Sequence, residues 1–231
     1  MARANRNTKV NNQRNLIADT DKRSPIAEQY RTIRTNIEFS SVDEQLKTIA
    51  ITSSGPGEGK STTSANLAVV MAQNGNRVLL IDADLRKPTM HYTFKTINTH
   101  GLTSVLTKQE ELAEACQETK IENLTILTSG PIPPNPSELL NSKMMEITLS
   151  KATEMFDIVI LDTPPVAAVT DPQIIASKVD GTILVTSSGK TDKEQLVRTK
   201  ELLTKAKAKI LGVVLNNKEV NEGQYYYYSN D

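Results

Sequence analysis

Ile49-Ala-Ile-Thr-Ser-Ser54-Gly55-Pro56-Gly57-Glu58-Gly59-Lys60-Ser61-Thr62 is the stretch that decides the architecture. It opens as a short apolar strand, passes through alternating glycines, and continues from Lys60 into a segment rich in Ala and Leu that reads as a helix over 60–74. In that context the glycines let successive backbone N–H groups face a phosphate, and the helix N-terminus adds its partial positive charge. Lys60 is set to reach the outer phosphates, and the Ser61 hydroxyl to ligate Mg²⁺. This is a phosphate-binding loop of the Walker A form, with Gly55, Gly57, Glu58, Gly59, Lys60, Ser61 and Thr62 as its nucleotide-binding residues. Its first position holds Ser54 where the pattern has glycine, so either the tight turn moves to Gly55 or the loop accepts a serine there.

Outward from the loop, apolar runs recur at Val78–Ile81, Leu124–Leu127, Ile158–Leu161, Ile183–Val185 and Val213–Leu215. Continuous apolar runs separated by helical stretches describe strands buried on both faces of a parallel sheet. The spacing predicts further helices over 108–118, 136–154, 170–178 and 191–207, and one from Ser24-Pro25 to about Phe39 with Ile26, Tyr30, Ile33 and Ile37 as its apolar stripe. The expected fold is therefore α/β, a mostly parallel, doubly wound sheet flanked by helices. Two of the runs end in carboxylates. Val78-Leu-Leu-Ile-Asp82-Ala-Asp84-Leu-Arg86-Lys87 brings two acids and two cations past one strand, and Ile158-Val-Ile-Leu-Asp162-Thr-Pro-Pro ends another in the form of a Walker B aspartate. Ligands of open α/β sheets bind outside the carboxyl ends of the strands, which is where these aspartates fall. Arg86 and Lys87 either neutralise phosphates, pair with Asp82 and Asp84, or stand in solvent.

The chain has 231 residues, 27 Lys and Arg against 27 Asp and Glu, so no global field points to nucleic acid or membrane. Its one cysteine, Cys116, and two histidines exclude a disulfide framework, a thiolate cluster and a transition-metal centre; Cys116 reads as a small buried or half-buried apolar residue. No apolar run approaches a membrane span and the first 20 residues lack a signal-peptide core, so the chain is expected to stay in the cytoplasm. Three segments follow: a flexible basic arm over 1–23, a P-loop domain over 24–217, and a flexible tail over 218–231 that carries Tyr225, Tyr226, Tyr227 and Tyr228.

These motifs together resemble the bacterial protein-tyrosine kinases of capsular and exopolysaccharide synthesis, in the cytoplasmic form found in Gram-positive bacteria. The resemblance covers 24–231 and rests on the Walker A loop, the Asp82-x-Asp84-x-Arg86 run, Leu161-Asp-Thr-Pro-Pro165 and the terminal tyrosines. Two further segments agree with it: Glu28-Gln-Tyr-Arg31-Thr-Ile-Arg34, similar to the family's subunit-contact motif, and Thr128–Pro136 with Glu138-Leu-Leu140, similar to its loop beside the active site. The resemblance implies the P-loop fold of the partition-ATPase-like group, with ATP and Mg²⁺ as cofactors and autophosphorylation of the tail tyrosines. It also implies a membrane-bound activator chain that recruits the kinase to the inner face of the membrane, protein-tyrosine substrates and a cognate tyrosine phosphatase. A homo-oligomeric ring through Glu28, Arg31 and Arg34 follows from it as well, although i, i+3, i+6 spacing allows an intrahelical salt bridge instead. Asn216, at the tip of the last strand, is the family's contact to the adenine edge or else a turn cap.

The alternative is a regulatory ATPase of the partition or septum-positioning type. Those proteins carry a signature lysine where this chain has Gly55. For phosphoryl transfer, Lys60 is expected at the β/γ oxygens, Ser61 on Mg²⁺ directly, and Asp84 and Asp162 on it through water. Asp82 is left to orient the acceptor hydroxyl and take its proton late, since a tyrosine titrates near ~10 and an ordinary carboxylate near ~4.

Overall fold

The computed structural model describes residues 14–40 and 46–219. Among the described residues seven strands form one sheet: β1 (Thr48–Ser53), β2 (Val78–Asp82), β3 (Gln117–Glu118), β4 (Leu124–Leu127), β5 (Ile158–Asp162), β6 (Gly181–Ser187) and β7 (Ile210–Asn216). Their spatial order is β3-β4-β2-β5-β1-β6-β7, parallel throughout except for the short edge pair of β3 with β4. The central strands are buried along their whole length, as their unbroken apolar runs require when helices cover both faces.

The helices are α1 (Ile17–Thr20), α2 (Pro25–Phe39), α3 (Lys60–Gln73), α4 (Met90–Phe94), α5 (Leu102–Leu106), α6 (Leu112–Ala115), α7 (Pro136–Leu140), α8 (Lys143–Met155), α9 (Asp171–Ala176) and α10 (Lys193–Lys205). One core lies between the sheet and α2 and α3, built on Ile49, Ile51, Leu67, Val78 and Leu80; a second lies on the opposite face around Leu79, Ile81, Leu127, Leu140 and Leu161. Alternation along β2 assigns Val78 and Leu80 to one layer and Leu79 and Ile81 to the other. Cys116 is half-buried against the second core, and burial pushes its thiol up to about 12, so it is an inert apolar residue.

Several expectations change. The helix expected over 108–118 is one short helix, α6, and an edge strand: Lys108 takes a left-handed φ of 60° just past α5, and Cys116 turns extended so that Gln117 and Glu118 pair with Ile126 and Thr125. The helix over 136–154 breaks at Asn141-Ser142, where Ser142 is extended and its hydroxyl donates to the Leu139 carbonyl. In α2 the buried stripe is Ala27, Tyr30 and Ile37, while Ile26 is 51% exposed.

The end of the segment expected as a flexible basic arm is docked. Residues 14–23 dock on the domain: Ala18 is fully buried, its N–H donates to Asn66 Oδ1 at 3.0 Å, and Gln73 Nε2 donates to its carbonyl at 2.9 Å. Asn66 also donates to the Asn15 carbonyl, so two amide side chains of α3 add hydrogen bonds to the packing of Leu16, Ile17 and Ala18 against the first core.

Candidate active site

β2, β5 and β1 are neighbours, so their carboxyl ends bring Asp82, Asp162 and the Ser54–Thr62 loop to one place. Asp82 and Asp162 are register partners and both are fully buried; Asp84 is 6% exposed. Lys60 Nζ lies 3.4 Å from Asp84 Oδ2, 3.4 Å from Asp162 Oδ2 and 2.9 Å from Ser61 Oγ. Ser64, one turn along α3, donates to Asp162 Oδ1 at 3.1 Å. Burial alone would lower the Lys60 pKa, but Asp162, Asp84 and Asp82 outweigh it and the net shift is upward, so the ammonium is held charged. Asp82 moves the other way from an ordinary carboxylate. Burial and then Asp162 push it up to about 7 against the N–H groups of Met90 and Thr89 and the charge of Lys60.

The loop is braced from outside. Gly57 and Gly59 have φ of 71° and 99°, the left-handed backbone that only glycine adopts cheaply, and a Cβ on Gly59 would collide with the Asn216 side chain. Ser54 and Gly55 keep ordinary φ, so a serine is accepted at the first position and the turn falls at Gly57. The Glu58 carboxylate turns inward: it accepts from the Gly55 N–H at 3.1 Å and from Thr191 Oγ at 2.6 Å. Lys190 Nζ donates to the Pro56 and Gly57 carbonyls, and Asn216 Nδ2 donates to the Glu58 carbonyl at 3.0 Å. Asn216 therefore braces the loop and does not cap its own turn. Thr62 stands on the first turn of α3, where its carbonyl accepts from Asn66.

Arg86 pairs with neither Asp82 nor Asp84. It forms a bidentate pair with the fully buried Asp171 at the start of α9, at 2.8 and 3.1 Å, and its Nη2 also donates to Ser137 Oγ on α7. On α2, Arg31 pairs with Glu28 at 2.7 Å, while Arg34 approaches Glu38 at 3.6 Å and donates to the Val70 carbonyl of α3 at 3.4 Å. The intrahelical pair that the spacing allowed is thus present. Tyr225 to Tyr228 lie outside the described residues.

A family profile described as an AAA domain matches residues 46–218. The chain is 56% identical over 227 residues to the tyrosine-protein kinase YwqD of Bacillus subtilis (strain 168), covering 98% of this chain and 95% of that one. The chain belongs to the bacterial tyrosine-protein kinases. Among solved structures, the chimerical protein CapA2B2 matches this kinase with a TM-score of 0.86 and 42% identity, over 90% of this chain and 93% of that one. The septum site-determining protein MinD from Pyrococcus horikoshii OT3 matches with a TM-score of 0.64 and 23% identity, over 79% of this chain and 76% of that one; it shares the fold alone. The reading as a partition-type ATPase gives way to the kinase family on these identities.

A divalent cation fits the kinase site chemically, because Ser61 Oγ, Asp84 and Asp162 present hard oxygens around one point. No cluster of three His, Cys, Asp or Glu side chains forms an all-protein metal cage among the described residues. Mg²⁺ needs none, since it is usually held by one or two carboxylates and the substrate's phosphates. No helix among the described residues is long and apolar enough to cross a membrane.

Sequence reading missed Ser64, Ser137, Asp171, Lys190 and Thr191. Ser137, Lys190 and Thr191 sit at helix starts or turns, Ser64 is a small residue inside α3, and Asp171 follows Thr170 at a helix start, so nothing in the local pattern separates it from a simple N-terminal acid.

Proposed function

We propose that this kinase transfers the γ-phosphoryl group of ATP to Tyr225, Tyr226, Tyr227 and Tyr228 and so regulates capsular or exopolysaccharide synthesis. The observation that carries the reading is the meeting of Lys60, Ser61, Asp84 and Asp162 above the P-loop. The chain leaves β7 at Asn216 on that same edge of the sheet. Eight steps from Asn217 to Tyr225 reach up to about 26 Å, whereas four strand spacings from β7 to β2 amount to about 19 Å. Transfer within one chain and transfer between neighbours are both within reach.

Phosphoryl transfer demands alignment and charge neutralisation more than strong base catalysis. The N–H groups of Gly57, Glu58, Gly59, Lys60, Ser61 and Thr62 cradle the phosphates, with Gly55 holding the loop through Glu58, and Lys60 moves from the carboxylates to the β/γ oxygens. Ser61 would hold Mg²⁺ directly and Asp84 and Asp162 through water, and the ion would supply neutralisation of the phosphoryl charge. Asp82 orients the tyrosine hydroxyl and accepts its proton late; a carboxyl near 7 suits that role better than one near ~4, because less of the ~10 of a tyrosine remains to be overcome. Asn216, beside the loop, contacts the adenine edge.

Glu28, Arg31 and Arg34 join neighbouring subunits in a ring. A separate membrane-bound activator recruits the kinase from the cytoplasm to the inner face of the membrane, a tyrosine phosphatase resets the tail, and other tyrosine proteins are substrates. Truncation after Asn221 tests the acceptor assignment. It should abolish self-phosphorylation while phosphorylation of a separate tyrosine peptide continues; loss of both would mean that the tail is structural.

A further inference from the structure

The segment between Asp82 and Met90 carries Asp84 but has no regular structure, so side-chain ties fix where it lies. Some of those ties are internal. Asp82 accepts from the N–H groups of Thr89 and Met90, each at 2.9 Å, and Asp84 accepts from Lys87 N–H at 3.0 Å. These bonds set the shape of the loop. Its position is set at the start by the Ala83 N–H to the Asp162 carbonyl, at 2.9 Å, and by the buried Leu85. Beyond Leu85 the tie is Arg86.

Arg86 spends two nitrogens of its planar fork on the Asp171 carboxylate, and Ser137 completes the set by donating to Asp171 Oδ1 at 2.7 Å while accepting from Arg86 Nη2 at 3.0 Å. Asp171 is fully buried, so its charge is held by this set of partners and not by water. The same carboxylate thereby joins three segments of the active edge: the loop bearing Asp84, the helix that follows the Thr128–Pro136 loop, and the helix that follows Asp162-Thr-Pro-Pro165. A fold that needed only stability could replace such a set with apolar packing.

We infer that Arg86, Asp171 and Ser137 are positioning residues for phosphoryl transfer, a clamp that fixes Asp84 opposite Lys60 and Asp162. The inference rests on the Mg²⁺-assisted reading above. Asp84 sits only two residues before the clamp, and its contact to Lys60 is already long at 3.4 Å. A shift of about 1 Å in a positioning group is enough to cost on the order of 10²-fold in rate. Lysine in place of Arg86 would keep the charge but lose the fork.

The test measures nucleotide affinity with and without Mg²⁺, kcat, and melting temperature for the wild type, Arg86→Lys, Asp171→Asn and the apolar pair Arg86→Met with Asp171→Leu. Arg86→Lys and Asp171→Asn should raise the Mg²⁺ concentration needed for tight nucleotide binding at least fivefold and lower kcat at least tenfold, with Mg²⁺-free affinity within twofold of wild type. The apolar pair should melt close to wild type yet keep both defects. Wild-type Mg²⁺ dependence and kcat in the apolar pair would overturn the inference and make the clamp purely structural. So would equal losses of affinity with and without Mg²⁺ in Arg86→Lys. If the wild type itself binds nucleotide equally with and without Mg²⁺, the underlying reading of the metal site fails, and the inference with it.

Discussion

Asp82→Asn should make the nucleotide-free protein relatively more stable as pH rises. Asp82 is fully buried beside its register partner Asp162, and its carboxyl is pushed from 3.8 up to about 7, first by burial and then by that neighbour. Between those values the folded protein binds a proton that the unfolded chain has released, so this group's contribution to stability is complete below pH 3.8 and is lost as pH climbs through about 7. About three pH decades at about 1.36 kcal/mol each give a total on the order of 4 kcal/mol, more than half of it between pH 5 and pH 8. Asparagine keeps a carbonyl oxygen to accept from Thr89 and Met90 and sacrifices only the long 3.3 Å contact with Asp84 N–H. Urea denaturation of both proteins at pH 5, 6, 7 and 8, without nucleotide or metal, reads the difference directly. The variant should gain roughly 2–3 kcal/mol on the wild type across that range, equivalent to about 5–10 °C in Tm. Parallel stability curves would refute the raised Asp82 pKa and remove the support it lends to Asp82 as the late proton acceptor.

Asp84→Ala should weaken Mg²⁺-dependent nucleotide binding while Asp82→Ala leaves affinity largely intact, both being inactive; titration calorimetry showing the reverse would exchange their roles. Gly59→Ala combines a φ of 99° with a collision against Asn216, and should abolish ATP binding in an equilibrium assay even if the protein folds; retained affinity would mean that the loop has an alternative path. Four phosphotyrosines add roughly −6 to −8 charges to the tail, so sedimentation should show an assembly for unphosphorylated protein that dissociates on full phosphorylation. Arg31→Ala with Arg34→Ala should be monomeric in both states, and identical assembly throughout would separate oligomerisation from the tail.

The central architecture was legible because the strands that hold the site are buried on both faces, which leaves them few residue types: Val78–Ile81 and Ile158–Leu161 announce themselves, and the aspartates that follow must lie on the carboxyl edge. Lys60, Ser61 and Asp162 converge for that reason, since backbone topology places them, whereas Asp84, two residues past its strand, depends on side-chain ties as well. The periphery was less legible. Gln117 and Glu118 form an edge strand because of their partners on β4, not because of their own preferences. Residues 14–23 dock through Leu16, Ile17 and Ala18, an apolar run too short to show a helix period, and through amides of α3. Arg86 is the instructive case: reading along the chain offered it phosphates, the acids two and four positions earlier, or solvent, whereas its partner is Asp171, 85 positions away, and only the fold brings the two together. Glu58 and Asn216 point the same way, as residues expected at the nucleotide whose side chains also serve to brace the loop that binds it.

On the proposed function, Lys60 and the tail tyrosines belong to one reaction. Mass spectrometry of the purified full chain after incubation with ATP and Mg²⁺, beside Lys60→Met treated identically, tests it most directly. The wild type should acquire phosphate within Tyr225–Tyr228, and the variant should lose at least ~10²–10³-fold in rate while melting as a folded protein. Absence of tail phosphate in the wild type, or equal phosphorylation of the two proteins, would contradict the account.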